Sequence, residues 1–86
     1  MGSVLFDGVR FVAYSNDHPP RHVHGFYAET EVIVDIGADH IVTLADRKNA
    51  IRPSNAKKSG VKKILLAAAD NVEVLVALWE KVNGEA

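Results

Sequence analysis

The sequence contains no cysteine, and this absence excludes a disulfide-bonded scaffold, a cysteine nucleophile and a thiolate zinc finger. It also lacks a long hydrophobic run. The longest, Ile64 to Ala69, is far shorter than the ~20 residues that a membrane-spanning helix needs. The N-terminus has no basic stretch followed by an apolar region, which argues against a signal peptide. These absences predict a cytoplasmic protein with no membrane partner.

The motifs of several common enzyme sites are missing as well. The chain has no P-loop GxxxxGK[ST], no dinucleotide-binding GxGxxG, no zinc-protease HExxH and no Gly-x-Ser-x-Gly nucleophile elbow. Its aromatic residues do not form the strand pattern of an RNA-recognition motif. A candidate site must therefore come from other side chains.

The composition is that of one small globular domain. The chain has 86 residues, of which 48% are hydrophobic and 24% charged, values that make disorder or a fibrous repeat improbable. We therefore interpret residues 1–86 as a single domain. A core of this size gives modest stability, which a bound ligand or a homodimer would increase.

The N-terminal half has the pattern of β-strands. Four segments rich in β-branched and aromatic residues are separated by turn signals. They predict strands at about 9–14, 22–27, 30–36 and 40–44, with Val4 to Phe6 as a short lead-in strand. The short connections between them favour an antiparallel meander.

The C-terminal half has a helical period. From Val61 onwards the apolar residues recur at steps of three and four, which is typical of an amphipathic helix. Pro53-Ser54 is a start signal and Asn83-Gly84 a stop signal. The pattern favours one long helix at about 55–83, with a hinge at Asp70-Asn71 as the alternative. The prediction is an α+β domain, a four-stranded antiparallel meander packed on one face by a long C-terminal helix.

Positive charge is concentrated between the strands and the helix. The chain carries a net charge of −1, yet residues 47–63 hold seven lysines and arginines and no acid. Such a block can follow the phosphates of a nucleic acid, or it can be a solvated surface that offsets an acidic sheet. The candidate nucleic-acid contacts are Arg47, Lys48, Arg52, Lys57 and Lys58.

Three of the four histidines lie within seven residues, in Asp17–His24 (DHPPRHVH). On a strand, His22 and His24 point to the same face, and His18 lies in a loop stiffened by two prolines. If residues 28–29 form a two-residue turn, His22 faces Asp35 and both histidines lie on the outer face, away from the helix. A one-residue slip in register would reverse this arrangement.

Three interpretations of the histidine cluster remain open. As a metal site, it would bind a divalent transition metal (zinc, copper, nickel or iron) through His18, His22, His24 and Asp35. As a catalytic site, His22 and His24 would transfer protons or contact phosphate while Arg21 stabilises developing negative charge. As a structural cluster, the imidazoles would cap the Pro-Pro loop and bond across the sheet.

The chain from Phe11 to Ile36 resembles a bacterial family, the domain of unknown function numbered 4160. Its members are similarly short and share an Asp-His followed by Pro-Pro and a His-x-His, a strand of the type seen here at Glu31–Ile36 (EVIVDI), and a C-terminal helix with a late tryptophan, here Trp79. The commoner family pattern is His-x-Pro-Pro-His-x-His. This chain has no residue between His18 and Pro19 and has Arg21 before His22.

The resemblance implies a small component of toxin–antitoxin type, encoded beside another short protein that would be its cognate partner. It thereby favours an RNA-directed role for the histidines and the basic segment. We therefore expect action on RNA through the histidine cluster. The alternatives are a metal-binding module and a partner-binding domain without catalysis, whose interface would be the outer sheet face or the Trp79 end of the helix.

Overall fold

The computed structural model describes residues 2–15 and 20–84 of the chain. Strands come first and helices last, as the sequence pattern predicts. The strands are β1 Gly2–Phe6, β2 Val9–Ala13, β3 His22–Tyr27, β4 Thr30–Ile36, β5 Val42–Leu44 and β6 Ile51–Arg52. The helices are α1 Lys58–Asp70 and α2 Val72–Asn83. No helix of these described residues is both long enough and apolar enough to cross a membrane.

All strands pair antiparallel in one sheet, in the order β1-β2-β3-β4-β5, and β6 pairs with β4 beyond the end of β5. The α+β class and the antiparallel sheet are thus confirmed, but the prediction of four strands is wrong. The lead-in segment is a full strand because Asp7 and Gly8 both have positive φ, 52° and 80°, and close a two-residue hairpin turn. The sixth strand, only two residues long, lies in the basic segment.

The predicted register of β3 against β4 is confirmed. Tyr27 pairs with Thr30, and His22 pairs with Asp35. The strand predicted at 40–44, however, begins only at Val42 in the structure. His40 lies in the preceding turn with φ 62°, and its backbone N–H donates to the carbonyl of Gly37 at 2.9 Å. His40 therefore does not share the strand geometry of His22 and His24.

Ala28, in the turn between β3 and β4, has a φ of 52°, which a side chain with a Cβ adopts at a cost of roughly 1–2 kcal/mol. We expect Ala28→Gly to raise the free energy of unfolding by up to about 1 kcal/mol. Glycine removes the strain, and its larger loss of backbone entropy on folding offsets only part of that gain. Urea denaturation measures the change. The control is Ala38→Gly in an exposed turn whose φ is not positive, where the same substitution should lower stability. Equal effects at both positions would contradict the strain argument.

The prediction of one long helix is wrong, because Asn71 interrupts it. Asn71 has φ −127° and ψ 28°, and its side-chain amide donates to the carbonyl of Ala67 at 2.9 Å. That bond competes with the helical backbone bonds, as short amide side chains commonly do. The helix also starts later than predicted, since residues 53–56 form a turn closed by a bond from Ala56 N–H to the Pro53 carbonyl.

One face of the sheet packs against both helices and forms the main core. Fully buried side chains from β2, β3, β4, α1 and α2 meet there, among them Phe11, Val23, Val34, Ile64 and Leu75. A smaller cluster of Ile33, Ala45 and Ala50 lies apart from it, where the β5–β6 loop covers the opposite face of β4. This opposite face, called the outer face below, carries the side chains of His24, Glu31 and Asp35.

Candidate functional site

The outer face collects the polar residues of the middle strands. In the β3–β4 pairing, Ile33 uses its backbone N–H and carbonyl for Ala50 and Ala45, on the side away from β3. His24 and Ile33 are therefore a non-hydrogen-bonded pair, and so, by alternation, are His22 and Asp35. Side chains in such pairs lie closest together. The sheet thus concentrates its imidazoles and carboxylates in a small area.

His24 is held by a carboxylate. Its Nδ1 lies 3.1 Å from Oε2 of Glu31, and Oε1 of Glu31 lies 3.2 Å from a guanidinium nitrogen of Arg52. The His24 and Glu31 side chains are 15% and 18% exposed, whereas Arg52 is 58% exposed. His24, Glu31 and Arg52 therefore form a series of contacts that leads from two mostly buried side chains to an exposed one.

His22 lies deeper than His24 and is only 3% exposed. Its Nδ1 is 2.9 Å from the carbonyl oxygen of Pro20, and its ring centre is 5.2 Å from that of Trp79 on α2. The expectation that both histidines lie away from the helix is therefore wrong for His22. As the first residue of β3 it stands at the end of the sheet, where Trp79 can reach it.

Both hydrogen bonds fix the same imidazole tautomer. A backbone carbonyl and an ionised carboxylate can only accept a hydrogen bond, so Nδ1 is the donor in His22 and in His24. In the neutral ring the lone pair then lies on Nε2. The two ring centres are 5.6 Å apart, and the Tyr14 ring meets His24 edge-on at 4.8 Å. The bond to Glu31 therefore fixes the orientation of the His24 ring and places the lone pair of the neutral ring on Nε2.

Asp35 is placed opposite His22, as its register predicts. Its Oδ1 is buried and accepts no hydrogen bond from the described residues, and Arg47 lies 3.8 Å from the same atom. Arg47 and Arg52 therefore reach the outer face from the β5–β6 loop and β6, each beside one carboxylate. Two of the predicted nucleic-acid contacts thus lie on the same face as the histidines.

Other predicted residues lie elsewhere. Arg21 donates to the carbonyl of Gly37 at 2.7 Å and lies 4.0 Å from Glu80, so its guanidinium is engaged away from the imidazoles. Lys48 is exposed in the loop after β5. Lys57 and Lys58 are exposed at the start of α1, where Lys57 lines a cavity of about 590 Å³ beside the β3–β4 turn. The basic segment is therefore divided between two parts of the molecule.

The predicted metal ligand His18 lies outside the described residues. Within residues 2–15 and 20–84, no three histidine or acidic side chains converge as a metal-binding group. Because His18 is not among those residues, the predicted metal-ligand set of His18, His22, His24 and Asp35 stays a prediction.

Sequence reasoning missed Glu31 as the partner of His24. The signal was present, because His24 pairs with Ile33 and Glu31 is two residues further along the same face of β4. Diagonal neighbours of this kind are within reach of long side chains. Trp79 is buried, and nothing in the helical period indicates that it contacts a histidine.

Comparison with known proteins matches most of the chain to a family model. The family model described as "Domain of unknown function (DUF4160)" matches residues 8–80, which include all of β3, β4 and α1. No curated protein and no solved structure matches the chain.

Proposed function

The chain belongs to the DUF4160 family, and from that premise we propose that it is a cytoplasmic toxin–antitoxin-type protein that cleaves RNA with His24 as its proton acceptor. The observation that carries the proposal is the bond from Nδ1 of His24 to Glu31. A carboxylate in this position fixes the ring, leaves the Nε2 lone pair in place and stabilises the imidazolium that forms when Nε2 takes a proton.

The reaction class follows from this single base. RNA carries a 2′-hydroxyl beside each phosphodiester, and this hydroxyl distinguishes it from DNA. Nε2 of His24 accepts the 2′-hydroxyl proton, and the 2′-oxygen forms a bond to phosphorus. The bond from phosphorus to the 5′-oxygen breaks, and the leaving oxygen takes a proton from water. The His24 imidazolium then returns its proton to the hydroxide so formed. The products are a 2′,3′-cyclic phosphate and a free 5′-hydroxyl.

Arg52 and Arg47 are the phosphate-contacting residues of the proposal. Their side chains are 58% and 40% exposed, on the outer face that carries His24. Ion pairs at such exposed positions contribute little free energy, so a phosphate can replace a carboxylate as the partner of either guanidinium. His22, which is buried under Trp79, acts in this proposal as a positioning residue for the neighbouring ring.

The function is tested with the whole protein. Induced expression should arrest bacterial growth, and the purified protein should cleave single-stranded RNA to fragments ending in a 2′,3′-cyclic phosphate. DNA of the same sequence and RNA methylated at its 2′-oxygens should remain intact, since neither has the attacking hydroxyl. Unimpaired growth together with intact RNA would refute the proposal, and cleavage of DNA would refute the proposed chemistry.

A specific observation favours a metal-binding module as the second candidate. Metal-ligating histidines almost always donate their other ring N–H to a carboxylate or a carbonyl, and both His22 and His24 do so. Two imidazoles on one zinc ion, with Zn–N distances of roughly 2.0–2.1 Å, have ring centres about 5 Å apart. The observed 5.6 Å is close to that separation.

If a metal binds, protein purified without a metal-affinity tag should contain near-stoichiometric zinc, copper, nickel or iron by elemental analysis. The variant His22→Ala/His24→Ala should lose it, because two of the nitrogen ligands are removed. His40→Asn is the matched control, since His40 lies exposed in the turn before β5 and not on β3. A metal-free wild type that folds normally, or metal retained in the double variant, would end this candidate.

A further inference from the structure

In the part of the chain that the structure describes, no strand pairs with the outer edge of β1. Within the described residues, β1 pairs only with β2. Its terminal pair, Phe6 with Val9, flanks the two-residue turn and is a hydrogen-bonded pair in this hairpin type. By alternation, Ser3 and Leu5 direct their backbone N–H and carbonyl groups away from β2. Four backbone groups therefore face outward along this edge.

The edge lacks the features that usually prevent strand pairing. Gly2–Phe6 contains no charged residue and no proline, although edge strands are commonly protected by lysine, proline, a bulge or shortness. Leu5 is 68% exposed, the most exposed large hydrophobic side chain of the described residues. The opposite edge is different, because β5 and β6 are only three and two residues long.

We propose that β1 pairs with β1 of a second copy of this chain, antiparallel about Val4, to form one continuous sheet across a two-fold homodimer. In this register Ser3 of each copy lies opposite Leu5 of the other. Their outward N–H and carbonyl groups then make four hydrogen bonds, two at each pair, and Val4 meets its own counterpart.

The choice of a second copy rests on two features of the strand. An uncharged strand meets no like-charge repulsion when it pairs with an identical strand. It also carries no charge that would favour a different partner of opposite charge. The outward-facing residues, Ser3 and Leu5, are placed symmetrically about Val4, so self-pairing satisfies all four groups. The exposed Leu5 side chains of both copies are covered at the same time.

The oligomeric state tests the proposal. Sedimentation equilibrium of the full chain should give a dimer that dissociates on dilution. Leu5→Lys should raise the dimer dissociation constant by about tenfold or more, because two cross-strand leucine contacts are lost. Leu66→Lys makes the same chemical change at an exposed site on α1, where Leu66 is 54% exposed, and should leave the dissociation constant unchanged.

Two further variants identify the register. Ser3→Glu/Leu5→Lys should recover dimerisation relative to Leu5→Lys, because the register brings opposite charges face to face at both pairs. Leu5→Pro should give a folded monomer, since it removes an N–H that the β1–β2 hairpin does not use. A wild type that is monomeric at all soluble concentrations would overturn the proposal. So would a dimer that Leu5→Pro and Leu5→Lys leave unchanged.

Discussion

Replacing His24 with glutamine is expected to lower the rate of RNA cleavage by about 10²–10⁴-fold, the usual contribution of a positioned acid or base. Glutamine keeps a polar side chain of similar length beside Glu31 but cannot take the 2′-hydroxyl proton through Nε2. RNA affinity should change little, because the proposed phosphate contacts are Arg47 and Arg52 rather than the imidazole. A variant that retains the wild-type cleavage rate would show that His24 is not the proton acceptor.

Glu31→Gln tests the partner of that base. An amide can donate as well as accept, and a hydrogen bond donated to Nδ1 of His24 would move the ring proton to Nε2, where it blocks proton acceptance. We expect kcat to fall by about 100-fold with KM nearly unchanged, since the carboxylate acts through the imidazole. Glu29→Gln, on an exposed glutamate in the turn of the same hairpin, is the matched control. Equal effects of the two substitutions would contradict a specific role for Glu31.

The phosphate contacts give a different kinetic signature. Arg52→Gln should weaken RNA binding and reduce its dependence on salt, because one fewer counterion is released. Lys81→Gln removes a charge from the exposed side of α2 and should change neither. The contrast between a kcat effect at Glu31 and a binding effect at Arg52 separates proton transfer from phosphate recognition.

The part of the site that was predictable depends on strand periodicity. A two-residue turn at Ala28-Glu29 fixes the pairing of the whole hairpin, and so places His22 opposite Asp35. The same register makes His24 and Glu31 diagonal neighbours. Considering only the residues directly opposite each other does not reveal this contact. The position of Arg52 beside Glu31 required β6, whose two residues are too few to give a strand pattern.

The features that the sequence did not predict are those that leave the spacing of the apolar residues unchanged. A break of one residue at Asn71 hardly changes the phase of the apolar stripe, so the helical pattern continues across it. The burial of His22 results from its place at the end of β3, where a tryptophan 57 positions later in the sequence reaches it. The alternation of side chains along a strand predicts the face on which a residue lies. It does not predict which residues from other elements pack against the end of the strand.

The close approach of α1 to the sheet depends on Gly25, the residue after His24. A Cβ at this position would lie 2.5 Å from Cγ2 of Ile64 and 3.0 Å from Cε1 of Phe11. Both neighbours are completely buried and cannot move into solvent. We expect Gly25→Ala to lower the free energy of unfolding by about 2–3 kcal/mol and Gly25→Val to prevent stable folding, because overpacking of this size approaches the total stability of so small a domain.

Circular dichroism during urea denaturation measures both variants. Gly37→Ala is the control, because its Cβ would come within 3 Å only of Oδ1 of the exposed Asp39 side chain, while the Ile41 carbonyl oxygen would lie at 3.6 Å. A second substitution identifies the contact. Ile64→Leu keeps the side-chain volume but has no methyl on Cβ, so Gly25→Ala/Ile64→Leu should be more stable than the sum of the two single changes predicts, by about 1 kcal/mol or more. Strict additivity would mean that α1 is held off the sheet by something other than this methyl group. Since His24 is the neighbour of Gly25 on β3, a chain that tolerates the larger residue would also hold the His24 imidazole less rigidly.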